Sequence, residues 1–163
     1  MSNKGKYFSK RSYAVLQPGQ HLVEVKSCQI VLAKNNLQTP QHATVVKSLD
    51  PETPGTITIF TNDQGYEHNK DGSVKFDPKT NEPIISEENT AIARAIFGDL
   101  ANCAGVPEGD YDLADLEGLK LGIVVKEVAT KRGTSMRVVK WTAYDDMVRS
   151  IELTKQLEAE EAE

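Results

Sequence analysis

The chain of 163 residues predicts a mainly β fold with one central helix. Three observations predict it. Short segments rich in β-branched residues recur five times. One capped helical pattern stands between the third and fourth of them. Turn residues separate the segments: Pro18-Gly19, the run DPETPG at 50–55, and Lys131-Arg132-Gly133.

Residues 1–12 read as a flexible basic arm, with Lys4, Lys6, Lys10 and Arg11 and no acid. The first strand is expected at 20–32, where Leu22 is followed by Glu24, Lys26 and Ser27, so that one face meets solvent. Lys34-Asn35-Asn36 signals a turn, and 42–49 (HATVVKSL) a second strand. The cleanest strand is 56–61, TITIFT. Ile57 and Ile59 alternate with Thr56, Thr58 and Phe60, which puts the isoleucines on the core face and Phe60 on the other. There Phe60 is either an exposed stacking platform or covered by a loop.

Residues 62–86 are polar and turn-rich, and read as a hairpin insertion around a short strand at 74–76. Ser86 can cap a helix whose first turn holds Glu87 and Glu88. Ile92, Ile96, Leu100 and Cys103 recur at helical spacing and form its expected buried stripe. Gly105 and Pro107 stop it. In the acidic run that follows, Leu113, Leu116 and Leu119 dock a short turn or helix on the core. Two closing strands, 121–128 and 135–141, flank the basic tip Lys131-Arg132-Gly133. Beyond residue 143 a helix-prone segment carries a weak apolar stripe, able to dock or to fray, and ends EAEEAE.

Three strands, a helix and a two-strand hairpin is the order expected of an OB-fold-like five-stranded barrel over residues 13–142. In that fold the face of strands two and three, with the 1–2 and 4–5 loops, binds oligonucleotides or oligosaccharides. Mapped here, the groove gathers Lys34, Lys47, Phe60, Lys131 and Arg132. An antiparallel sheet packed on one helix uses the same elements and competes with this assignment.

Charge is sorted along the chain. Residues 1–142 carry 17 basic and 17 acidic side chains, so the formal net charge of −5 belongs to residues 143–163. The stretch 120–140 holds six basic residues against Glu127 alone. Local basic surfaces with an acidic end suit a protein that handles an anionic polymer and also meets basic partners. No apolar run approaches the roughly 20 residues of a membrane span. The basic N-terminus lacks the apolar centre of a signal peptide, so a cytoplasmic location is expected (a host cytoplasm for a phage-encoded chain). Cys28 and Cys103 have no CxxC spacing and read as reduced structural thiols.

The stretch GVPEGDYDLADLEGLKLGIVVKEVATKRGTSMRVVKW, residues 105–141, resembles the end of small phage single-stranded DNA-binding proteins of the OB-fold type. The parts that carry the likeness are the helix-ending glycine at 105, the leucine-glycine step at 116–119, and the strand at 121–128. The glycine-bearing tip at 131–133 and the closing strand that ends in Trp141 complete it. The resemblance covers about 40 residues, matches fold more than chemistry, and does not extend to the 62–86 insertion. It implies single-stranded DNA binding in phage replication or recombination.

Such a binder needs cations along the phosphate track and aromatic faces for bases. The candidate cations are Lys34, Lys47, Lys126, Lys131, Arg132, Arg137 and Lys140. The candidate platforms are Phe60 and Trp141, with Tyr7, Phe8, Lys10 and Arg11 of the arm as a mixed aromatic and basic contact. Trp141 alternates with Val139 and Arg137 and can instead close the barrel end as core. The acidic residues Glu158, Glu160, Glu161 and Glu163 are expected to fold back over the groove until DNA displaces them, or to recruit replication or recombination proteins. The tail lacks the terminal apolar motif common in such binders. Self-association through the C-terminal helix or a sheet edge fits the same reading.

No catalytic constellation is visible. His21, His42 and His68 have no metal-ligand spacing, and there is no phosphate-binding glycine loop. A non-enzymatic role without cofactor or metal is therefore expected. The alternative is a phage accessory protein–protein interaction module that does not bind nucleic acid.

Overall fold

The computed structural model describes residues 15–107 and 111–162. Its sheet is organised around β1 (Gly19–Leu32), which is long enough to pair with two different strands along its length. The first half pairs with β4 (Lys120–Thr130) and the second with β2 (Pro40–Ser48). The partner changes near a bulge between Val25 and Ser27. β3 (Thr56–Asn62) adds to β2, and β5 (Gly133–Ala143) adds to β4. The order is therefore β3-β2-β1-β4-β5, antiparallel throughout. The five strands match the sequence expectation closely. The sheet is open, however: β3 and β5 are its two edges, and no hydrogen-bonded ladder joins them.

Alternation within each strand sets the faces. Val23, Val25, Val46, Ile57, Ile59, Leu121, Ile123 and Val125 turn inward to one core. As expected, Ile57 and Ile59 are buried and Phe60 points the other way, 59% exposed.

Between β3 and β4 lies α1 (Glu87–Cys103). Ser86 caps it, its Oγ accepting from the Asn89 N–H at 3.1 Å. Gly105, at φ +102°, takes the chain out of it. Its buried face departs from the expected stripe. Phe97, Leu100 and Ala101 are buried, whereas Ile92 and Ile96 are exposed and Cys103 is only partly covered. The reason is an aromatic contact that periodicity does not record. Phe97 stacks on His42 of β2, ring centroids 3.8 Å apart and 6° from parallel, and this fixes the roll of the helix. A 3-10 turn, Leu113–Leu116, then buries Leu116.

The 62–86 insertion is more than one hairpin. Isolated bridges join Tyr66 to Ile85, His68 to Val74 and Phe76 to Pro83, so three segments meander side by side. Tyr66 is buried and pins them, its hydroxyl donating to Thr39 Oγ1 at 3.1 Å.

The helix-prone tail forms a second helix, α2 (Tyr144–Ala162), and of the two expected outcomes its first turns dock. Met147 is buried over Gly122 of β4, where an added Cβ would meet the Met147 Cβ at 2.1 Å. Farther along, Ser150 and Thr154 hydrogen-bond the side chain of Gln20 on β1. The helix thus crosses from β4 to β1, a direction leading away from β5. Leu153 and Leu157 remain exposed. No described helix is long and apolar enough to cross a membrane.

Candidate nucleic-acid interface

The gap between the two sheet edges is a groove of about 590 Å³. Thr58, Ile59, Phe60 and Thr61 line one wall, residues 135–139 and Trp141 the other, and Ile96 of α1 its end. Three of the candidate residues meet here: Phe60, Arg137 and Trp141. Phe60 owes its exposure to the period of β3. Trp141 is half-buried, packs on the core and donates its Nε1–H to Asp99 Oδ2 of α1 at 2.9 Å. Both readings of Trp141 therefore apply to one ring, which closes the core and also walls the groove.

The register of β5 differs from simple alternation. A bulge shifts it between Val124 and Val125 and leaves Val139 unpaired. Trp141 then stands opposite Ile123, and Val138 opposite Val125, both on the core side. Lys140 stands opposite Val124 and Arg137 opposite Lys126, on the outer side. Arg137 and Trp141, four residues apart, thus lie on opposite faces. The bulge turns the cations out and the indole in.

Lys126, Arg137 and Lys140 form an exposed row on the outer face of the β4–β5 hairpin, leading to Lys131 and Arg132 at its two-residue tip. The ion pairs among the described residues are Lys26–Glu24 and Arg94–Asp63, with His42 beside Asp63, so no acid pairs with this row. Lys131 and Arg132 do not line the groove itself. Lys47 shares the outer face of β2 and β3 with Phe60, but stands opposite Thr56, whereas Phe60 stands opposite Ala43. Lys34 lies exposed in the β1–β2 loop. Tyr7, Phe8, Lys10, Arg11 and Glu163 lie outside the described residues.

No protein-family model matches this chain, and no curated protein matches its sequence.

A second groove, about 390 Å³, opens on the other side of Ile96, which lines both. Its walls come from the β1–β2 loop, the start of the insertion and α1. Sequence reading missed it because its residues are ordinary turn amides far apart in the chain.

His42 was also missed. It is buried, with Nε2 3.7 Å from Asp63 Oδ1, and Asp63 is held in turn by Arg94 Nε at 3.2 Å. Burial holds the imidazole below its ordinary value despite the pull of Asp63. Its Nδ1 is buried without a well-formed hydrogen bond among the described residues, although the Thr61 backbone also pulls the value up. Burial likewise pushes the Cys28 and Cys103 thiols up, which disfavours reactive thiolate. Among the described residues no cluster of three or more His, Cys, Asp or Glu could hold a metal ion.

Proposed function

We propose that this chain is a single-stranded DNA-binding protein of phage replication or recombination. The observation that carries the reading is the groove between β3 and β5. An exposed aromatic, a half-buried indole and Arg137 line a single channel there, and Arg137 belongs to the row of cations on the outer face of the β4–β5 hairpin. Bases stack on Phe60 and on the accessible part of Trp141, while phosphates follow Arg137, Lys126 and Lys140 toward Lys131 and Arg132. Neither contact reads sequence, so binding is non-specific and salt-dependent. The strand order with a helix before β4, and two edges that approach without pairing, support an OB-fold-type barrel that is partly open. The likeness of residues 105–141 to phage binders supports the same reading.

Glu158, Glu160, Glu161 and Glu163 act as a competing polyanion or as bait for basic partners. Because α2 leads away from β5, competition with DNA needs its last turns to undock or to reach another copy. A chain ending at Leu157 keeps Met147 on Gly122 and tests this. Titration of a fluorescent oligo-dT at low salt is expected to show tighter binding than by the full chain. Equal affinity at every salt concentration rules out the competing role and leaves recruitment.

A further inference from the structure

We infer that the second groove is a base-reading subsite, taking one unstacked nucleobase of a strand bound in the first. This rests on the single-strand reading above and adds specificity at one position. The two grooves share Ile96, so a strand leaving Phe60 along α1 meets the second. Its floor is apolar, with Ile92 and Ile96 exposed from α1. Its polar wall is rich in carboxamides, Asn35, Asn62, Gln64 and Asn89, with Thr39, Tyr66 and His68 beside them. The nearby acid, Asp63, is already held by Arg94. An amide-rich wall over an apolar floor, with His68 its one basic side chain, offers a phosphate little. It suits a base, which has an apolar face and a hydrogen-bonding edge.

The wall is fixed before any ligand arrives. Asn89 Nδ2 donates to the Tyr66 carbonyl at 2.7 Å, and the Gly65 N–H donates to Thr90 Oγ1 at 3.0 Å. Gln41 Nε2 donates to Asn62 Oδ1 at 2.8 Å, which uses the acceptor of Asn62 and leaves its NH2 group without a partner among the described residues. Gln64 Oε1 lies 3.4 Å from the Tyr66 hydroxyl, whose hydrogen goes to Thr39, and the Gln64 NH2 group has no hydrogen-bond partner among the described residues. The subsite therefore presents donors. It favours a base edge with two adjacent acceptors, such as O6 and N7 of guanine, over adenine, whose corresponding edge pairs an acceptor with a donor.

The test is a series of short oligo-dT strands in which one position at a time is replaced by dG, dA or an abasic site, titrated against the full chain. At one position dG is expected to bind about fivefold or more tightly than dA. Asn62→Ala with Gln64→Ala is expected to erase that difference while leaving oligo-dT affinity within about twofold. Asn62→Ala alone, at an exposed position, guards against misfolding and is expected to reduce the difference. Equal binding of dG and dA at every position, or a preference that survives in both variants, overturns the subsite and leaves the single-strand reading intact. No binding of any strand at low salt overturns both.

Discussion

Lys126 stands directly opposite Arg137 in the β4–β5 ladder, and neither has an acidic partner among the described residues. Like charges opposed across a strand pair cost the fold, by about 0.2–1 kcal/mol. A bound phosphate would turn this repulsion into attraction at both residues. Arg137→Ala is therefore expected to leave stability unchanged or slightly raised. The same change is expected to weaken DNA binding and to lower the slope of log affinity against log salt by about 0.7. Urea melts and anisotropy titrations over a salt series check both halves.

Phe60 is the platform that can be removed with least effect on the core, because 59% of it is already exposed. Phe60→Ala is expected to cost about 1–3 kcal/mol of binding, the range for base stacking on an aromatic, with little change in melting temperature. Trp141 is the only tryptophan. Its emission should change on DNA addition in the native chain, which gives a label-free reading of occupancy.

Gly122 allows α2 to sit on β4. A Cβ there would lie 2.1 Å from Met147 Cβ and 2.5 Å from its Cγ, and β4 is paired on both sides at this level. Gly122→Ala is expected to destabilise the protein by about 1–3 kcal/mol through overpacking. It should also free α2, seen as faster amide exchange over 144–162. Unchanged stability and protection would show that α2 does not dock there.

Acid is expected to weaken the fold through His42. Burial holds its folded value below the ordinary 6.5, so between the two values the unfolded chain binds the proton and the folded chain does not. The stability is fully present above the ordinary value and is lost as pH falls below it. Asp63 opposes the shift and Arg94 adds to it. Urea melts at about pH 7.5 and about pH 5.5 check the direction, and His42→Phe is expected to flatten the difference.

Much of this was legible in the sequence, and the rest was not for identifiable reasons. Alternation in TITIFT placed Phe60 outward, and Ser86 and Gly105 bounded α1, because these signals are local. The helix face was misread because Phe97 is drawn in by His42, a residue 55 positions earlier in the chain. The side of Arg137 relative to Trp141 was not legible because one bulged residue, Val139, inverts the alternation. Docking of α2 turned on a glycine whose missing side chain matters only once Met147 is above it. The first groove was partly foreseen. Phe60, Arg137 and Trp141 converge there, whereas Lys34, Lys47, Lys131 and Arg132 stand outside it.

The most direct test of the central claim is a titration of fluorescent oligo-dT with the intact chain at low and moderate salt, beside a duplex of equal length. The account predicts saturable binding of the single strand, weaker at moderate salt, and weaker binding of the duplex, whose bases cannot reach Phe60. Absence of single-strand binding at low salt would contradict it and leave the acidic helix end as the functional surface.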